Sequence, residues 1–174
     1  MNVLHHLATE LEALVILLQK THCTSAEKLV LPNYVLAGSS LSRKHGLATF
    51  VHERLPWTLV SQSPVTSEIE WLCVDVDDYK IVNIYKPPLI RLQVSDFPVF
   101  PHPCLYAGDF NSPHVDWGYN SSSVDGEWFL AYANSNNLAL LHNPKDEPSF
   151  HLHRHFHVFQ SHPSMFHCLF QRPE

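Results

Sequence analysis

The chain has 174 residues, which suits one domain, and 45% of them are hydrophobic, enough for a buried core. Charged residues make up only 16% and the formal net charge is −6, which excludes a broad basic face for non-specific nucleic-acid binding. Any nucleic-acid function must therefore depend on a local site.

Cysteine usage and hydropathy limit the cellular compartment. The four cysteines form no C-x-x-C pair, so they indicate neither a zinc site nor a disulfide framework. No apolar run approaches the roughly 18 residues of a membrane span, and the N-terminus lacks the basic segment and cleavage site of a signal peptide. We expect an intracellular protein, nuclear or cytoplasmic, with no membrane partner and no small-molecule cofactor.

Apolar spacing predicts the first elements in chain order. Residues 2–12 have helical periodicity, and the aliphatic run 13–18 has the length of a fully buried strand. Two further strands are expected at 34–39 and 45–55. Residues 56–67 have the composition of a loop.

The second half of the chain continues with strands and one clear helix. Residues 69–88 predict a hairpin, and an apolar strand follows at 103–111. A helix is expected at 125–137 with Asp125 as its N-cap, and the next strand at 138–142. Strands that alternate with helices, together with a hairpin, predict a mixed α/β (α+β) layered domain rather than a doubly wound parallel sheet.

The segment 105–118, LYAGDFNSPHVDWG, places Asp109 and Asn111 two residues apart at the end of the predicted strand. Functional loops of α/β proteins commonly follow the carboxyl ends of strands. Asp and Asn are also common in turns, and for an isolated G-D-x-N the turn is favoured by about three to one. The rest of the chain decides between these interpretations.

Three other segments accompany AGDFNSPHVDWG in a specific order, namely ILLQKTH, KHGLATFVHERL and IVNIYKPP. Together the four segments resemble the endonuclease/exonuclease/phosphatase family and, within it, the endonuclease domain of LINE-type (non-LTR) retrotransposon polyproteins, over about residues 11–150. The resemblance implies a truncated sandwich of two mostly antiparallel mixed β-sheets flanked by helices. It also implies cleavage of DNA with a divalent metal, usually magnesium.

The resemblance implies roles for three residues. Asp109 would orient and deprotonate the attacking water, and Asn111 would donate a hydrogen bond to a non-bridging phosphate oxygen. Tyr85 would hydrogen-bond to the phosphate or stabilise the leaving oxygen. Packing of Tyr85 on Pro87 is the alternative for that aromatic residue.

The QKTH segment departs from the family pattern, because Lys20 stands where the family has its metal-binding glutamate. Magnesium requires oxygen ligands and an ammonium group offers none, so we expect impaired magnesium binding and leave the metal ligands unassigned. Lys20 and His22 become candidates for the cleft. In an alternative interpretation, Lys20 pairs directly with phosphate as a point charge.

Both ends of the chain also depart from the pattern. The family's first strand with its asparagine and its C-terminal Ser-Asp-His segment have no counterpart. We therefore expect a partial domain at 1–150 and a divergent, His-rich, disordered tail at 151–174. In a strand, the alternating histidines of the tail would share one face and have adventitious metal affinity rather than form a structural zinc site: His151, His153, His155 and His157.

The sequence as a whole predicts a partial, impaired metal-dependent phosphodiesterase from a retrotransposon, which nicks DNA with an Asp-activated water. Three alternatives stay open. The chain could be a catalytically dead module that binds phosphate or nucleic acid, a non-functional remnant, or a sugar- or inositol-phosphate phosphatase. The oligomeric state and the target DNA sequence are not indicated.

Overall fold

The computed structural model describes residues 2–93, 96–101, 103–140 and 166–171. It contains a three-stranded and a six-stranded β-sheet, with few helices. The predicted mixed α/β class with two sheets is confirmed. No helix within these ranges is long and apolar enough to cross a membrane.

The smaller sheet follows helix α1 (Asn2–Glu10), which the sequence predicted. Its strands are β1 (Val15–Gln19), β2 (Tyr34–Ser40) and β3 (Leu47–His52), in the antiparallel order β1-β3-β2. The prediction that the first strand is fully buried is wrong, since all its residues are half-buried. The reason is that β1 lies at the edge of the sheet, with the buried β3 as its one neighbour.

The larger sheet has the order β4-β5-β6-β7-β9-β8, and of its strand pairs β6 and β7 run parallel whereas the others run antiparallel. Its strands are β4 (Trp57–Gln62), β5 (Glu70–Val76), β6 (Tyr79–Tyr85), β7 (Cys104–Asp109), β8 (Leu138–Leu140) and β9 (Phe166–Gln171).

Strand β4 corrects the prediction of a loop at 56–67. It pairs with β5, and its register shifts between Leu59 and Ser61. Leu59 and Val60 are exposed, as expected for an edge strand with an irregular register. Because the burial of β4 is irregular, its sequence has no clean alternation of apolar and polar residues. Pairing with β5 is what holds this segment as a strand.

Strand β9 lies inside the segment predicted as a His-rich tail. Residues 166–171 pair with β7 on one side and β8 on the other, so this part of the tail is an inner strand of the sheet. The alternating histidines at 151–157 lie outside the described residues. A domain boundary at residue 150 stays a prediction.

Helix α2 (Val124–Ser135) begins at a different residue from the predicted one. Ser123 is the N-cap, because its Oγ accepts a hydrogen bond from Gly126 N at 2.9 Å. Asp125 lies in the first turn and is buried. The helix was predicted to end at Asn136 and Asn137, and Asn136 is its C-cap.

The cap of α2 gives a stability prediction. Ser123→Ala is expected to lower the free energy of unfolding by about 1 kcal/mol, because the N–H of Gly126 loses its acceptor. Urea unfolding measures the loss. Ser121→Ala, at an exposed position just before the helix, is the matched control and is expected to change stability little. Equal losses in both variants would contradict the assigned cap.

One buried amide joins the two sheets. Asn83 on β6 is fully buried, and its Oδ1 accepts from Gln19 Nε2 at 2.6 Å. Its Nδ2 donates to Leu18 O, Ala48 O and Thr49 Oγ1. Because the amide is satisfied by two strands of the opposite sheet, it fixes the end of β1 against β6. The residue that follows β1 is thereby held over the end of the larger sheet.

Candidate active site

Three strands from both sheets end at the same place. Tyr85 and Asp109 are register partners at the carboxyl ends of the parallel strands β6 and β7. Lys20 directly follows β1 of the other sheet. The structure therefore brings the predicted Lys20, Tyr85, Asp109 and Asn111 into one cluster.

The backbone around this cluster adopts unusual conformations. Lys20, His22 and Asn111 have positive φ angles of 54°, 51° and 43°. Non-glycine residues seldom adopt this region, and such conformations are concentrated at functional sites. At Gly108, with φ of 154°, a Cβ atom would collide with the carbonyl of Ile84 on β6, so only glycine permits this close approach of β7.

Both carboxylate oxygens of Asp109 are engaged. Oδ2 lies 2.9 Å from Nζ of Lys20, and Oδ1 accepts a hydrogen bond from Nδ2 of Asn111 at 2.6 Å. The same Asn111 amide donates to the carbonyl of Lys86 at 2.8 Å. Burial raises the pKa of Asp109 above its ordinary value, although the bonds from Lys20 and Asn111 oppose the shift. The carboxylate is thus held by protein groups on both sides.

The raised pKa of Asp109 gives a pH prediction. The folded state binds this proton more tightly than the unfolded chain, so the stabilisation is present at low pH and is lost as the pH rises from the ordinary value of 3.8 through the folded pKa. We expect the stability of wild type relative to Asp109→Asn to be greater at pH 4 than at pH 7. Urea unfolding at both pH values measures this, with Asp78→Asn in an exposed turn as control. A relative stability that grows towards pH 7 would reverse the sign.

Tyr85 lies between a cation and an imidazole. Nζ of Lys20 is 5.2 Å from the centre of its ring, and the ring of His45 is 4.8 Å away on a tilted plane. Burial, with the carboxylates of Asp109 and Glu70, raises the pKa of Tyr85 to about 12. The phenol therefore stays protonated at neutral pH and is available as a hydrogen-bond donor.

The structure places His22 beside the cluster. Its Nδ1 lies 3.0 Å from the carbonyl oxygen of Arg43, and its backbone N–H donates to the carbonyl of His45. The imidazole is exposed. These bonds tie the turn after β1 to the β2–β3 connection, so His22 lies beside the cluster and anchors a neighbouring loop.

Sequence reasoning missed a buried ion pair beneath the cluster. Lys86 is fully buried, and its Nζ lies 2.9 Å from Oδ2 of Asp125 on α2. Its backbone N–H donates to the carbonyl of Asp109, and its carbonyl accepts from Asn111. Lys86 thus supports both residues of the G-D-x-N motif. The sequence signal for this ion pair is the position of Lys86 directly after an apolar strand. A lysine that is buried there requires a partner of opposite charge.

Two more residues near the cluster were not predicted, one beside Tyr85 and one near Asp109. Glu70 on β5 is the register partner of Tyr85, and it is 9% exposed. Its Oε2 accepts from Gly46 N at 3.0 Å, and burial raises its pKa. Tyr119 is half-buried, and burial with the charge of Asp109 raises its pKa to about 12.

The donor set does not fit a magnesium ion. The position that the resemblance assigns to a metal-binding carboxylate carries the ammonium of Lys20, which is bonded to Asp109. Across the described ranges, no three His, Cys, Asp or Glu side chains are grouped to hold a metal. No catalytic step of this chain is therefore derived through magnesium.

Comparisons with known proteins agree with this architecture. The sequence model of a family described as "Endonuclease-reverse transcriptase" matches residues 79–161, a range that includes Tyr85, Asp109 and Asn111. The endonuclease domain of TRAS1, a telomere-specific non-LTR retrotransposon, has a similar structure with a TM-score of 0.64 and 15% identity, over 97% of this chain and 76% of that chain.

The similarity to other solved structures is weaker. Two nitrophorin structures from Cimex match at TM-scores of 0.41 and 0.42, with 10% identity, over 84% of this chain and 66% of theirs. No curated protein sequence matches this chain. The family-model match over residues 79–161 and the similar fold of the TRAS1 domain together confirm the predicted resemblance to the endonuclease/exonuclease/phosphatase family.

Proposed function

We propose that this domain is an impaired DNA phosphodiesterase in which Lys20 suppresses hydrolysis by occupying the catalytic carboxylate. The observation that carries the proposal is the 2.9 Å bond between Nζ of Lys20 and Oδ2 of Asp109. The ammonium of Lys20 and the Asn111 hydrogen bond both stabilise the ionised carboxylate, so they oppose transfer of a proton from an attacking water to Asp109.

The remaining groups suit a phosphodiester. Tyr85 keeps its proton at neutral pH and can donate to a phosphate or leaving oxygen. The amide of Asn111 can donate to a non-bridging oxygen once it is released from Asp109. DNA is the proposed substrate, supported by the family match and by the similarity to a retrotransposon endonuclease domain.

Nicking of supercoiled plasmid tests the proposal, with magnesium and with chelator. Wild type is expected to nick slowly, and Asp109→Ala is expected to lower that residual rate by about 100-fold or more, the typical contribution of a positioned general base. Asp78→Ala, at an exposed turn, is the matched control. Nicking by Asp109→Ala at the wild-type rate would show that the cluster does not perform the reaction.

A second candidate is DNA or phosphate binding without cleavage. It is favoured by the side chain of Lys20, which is 35% exposed and lies over the ring of Tyr85, so that a phosphate can approach the ammonium. Anisotropy of a labelled DNA duplex would show affinity that falls with salt, by about 0.9 in log K per log unit of salt for each phosphate contact. Binding without nicking would favour this candidate. A non-functional remnant would show no binding and no cooperative thermal transition.

A further inference from the structure

A pocket of about 280 Å³, here called the distal pocket, lies at the end of the smaller sheet that is opposite the Lys20 cluster. Strand β2 begins and β3 ends at this pocket, whereas Lys20 follows the other end of the same sheet, where β1 ends beside the start of β3. Pockets for small ligands commonly measure about 300–1,000 Å³, so the distal pocket suits a ligand at the small end of that range. Its lining includes Thr9, Glu12, Asn33, Tyr34, His52 and Arg54.

Contacts between three segments hold the walls of the distal pocket. The hydroxyl of Tyr34 donates to the carbonyl of Ala13 at 2.6 Å, which joins the start of β2 to the turn after α1. The ring of Tyr34 meets the ring of His52 edge-on, with 5.2 Å between their centres. Glu12 and Asn33 have positive φ angles of 48° and 66°, a conformation that non-glycine residues seldom adopt outside turns and binding sites.

The wall formed by α1 favours a cation. Glu12 is exposed and follows the C-terminus of the helix, where the backbone carbonyls carry partial negative charge. No basic residue lies in the last turn of α1 to offset that charge. Thr9 donates its hydroxyl proton to the carbonyl of His5 at 2.9 Å, so the hydroxyl oxygen is left as a further acceptor.

The wall formed by the strand ends favours an anion. Arg54 is exposed and directs its backbone N–H to Nδ1 of His52 at 3.3 Å. Because Nδ1 accepts this bond, the neutral imidazole carries its proton on Nε2, which is then a donor. The side-chain amide of Asn33 is a third donor at the pocket. A guanidinium group with such neighbours suits a carboxylate.

The two charged side chains of the distal pocket do not neutralise each other. Glu12 and Arg54 both line it, yet within the part of the chain that the structure describes neither forms an ion pair. A ligand with one positive and one negative group can therefore bond to both side chains without displacing a protein partner from either. A ligand with a single charge would meet one favourable and one unfavourable wall.

We propose that the distal pocket binds a free α-amino acid as a zwitterion. Its ammonium group lies at Glu12 and the end of α1, and its carboxylate lies at Arg54 and His52. The rings of Tyr34 and His52 favour an aromatic side chain, because aromatic pairs add stabilisation beyond the area that they bury. The site is independent of the proposed action on DNA, since none of its residues belongs to the Lys20 cluster.

Three related ligands test the proposal, measured by ligand-observed NMR titration at pH 7. L-Phenylalanine carries both charges, 3-phenylpropanoate lacks the ammonium group, and phenethylamine lacks the carboxylate. We expect wild type to bind L-phenylalanine with a Kd of about 1 mM or lower. We expect the other two ligands to bind at least about threefold more weakly, since one ion pair at an exposed site changes affinity by this order.

Two variants assign each charge of the ligand to its wall. Arg54→Gln is expected to weaken L-phenylalanine about threefold or more while phenethylamine binds as in wild type. Glu12→Gln is expected to weaken L-phenylalanine by a similar factor while 3-phenylpropanoate binds no more weakly than in wild type. Glu53→Gln makes the same change as Glu12→Gln at an exposed neighbour outside the pocket, and it should bind all three ligands like wild type. Urea unfolding verifies that the variants are folded.

The crossed pattern of the two variants is what supports the assignment. Absence of L-phenylalanine binding by folded wild type would overturn it. If wild type binds 3-phenylpropanoate as tightly as L-phenylalanine, the pocket is an anion site and the zwitterion is wrong. If each variant weakens all three ligands equally, Glu12 and Arg54 maintain the shape of the pocket and do not bond to the ligand, which also overturns the proposal.

Discussion

Lys20→Glu is expected to give a magnesium-dependent DNA nickase at least about 100-fold faster than wild type. The change removes the ammonium bonded to Asp109 and supplies an oxygen ligand where a family metal ligand is expected. A bound divalent cation contributes several kcal/mol to the transition state, and about 1.4 kcal/mol changes a rate by roughly tenfold. The gain should vanish with chelator.

Two variants separate the causes of this gain. Lys20→Gln frees Asp109 without adding a carboxylate, so it is expected to nick far more slowly than Lys20→Glu. Lys28→Glu makes the same charge reversal at an exposed position and should behave like wild type. The stability of Lys20→Glu should also rise with magnesium, because a bound cation would offset the repulsion between the new carboxylate and Asp109. If Lys20→Glu is folded but inactive, the ammonium of Lys20 is not what prevents catalysis.

Lys86→Met is expected to lower the free energy of unfolding by about 3–5 kcal/mol, because it removes the buried cation of the Asp125 carboxylate and leaves only the exposed Arg91 at 4.0 Å. The substitution should also disturb the positions of Asp109 and Asn111. Both residues bond to the backbone of Lys86, which its buried side chain anchors to Asp125. Urea unfolding measures the loss, and the double variant with Asp125→Leu is expected to recover part of it.

The chain carries a matched control for this prediction. Lys80 and Asp75 form an ion pair at 2.8 Å that is partly exposed on the larger sheet. Lys80→Met is expected to cost only about 0–1 kcal/mol, because solvent screens an exposed pair and solvates the remaining carboxylate. If the two methionine variants lose the same stability, burial of the Lys86–Asp125 pair is not what makes it important.

Local patterns predicted a large part of this fold. The hairpin turns at Asp77 and Asp78 as expected, and Asp77 has the positive φ of 55° that suits an aspartate in a tight turn. Helix α1 and the end of α2 were also predicted. These features depend on residues close together in the chain, so their signals are visible without knowledge of the tertiary structure.

Other features depend on partners that are distant in sequence. Strand β4 exists because it pairs with β5, and β9 is an inner strand because β7 and β8 lie on its two sides. Asp125 resembles an N-cap in sequence, but the buried ammonium of Lys86 draws its carboxylate inward, and Ser123 caps the helix. In each case a tertiary contact outweighs the local preference.

The candidate site divides in the same way. By itself, the sequence determined which residues lie at or just after the strand ends, because motif spacing is a local property: Lys20, Tyr85, Asp109 and Asn111. Only the tertiary structure decided that Lys20 bonds directly to Asp109, and that Glu70 and His45 adjoin Tyr85. Those contacts join β1, β5, β6 and β7, and the packing of two sheets, with its buried Asn83, determines which strand ends meet.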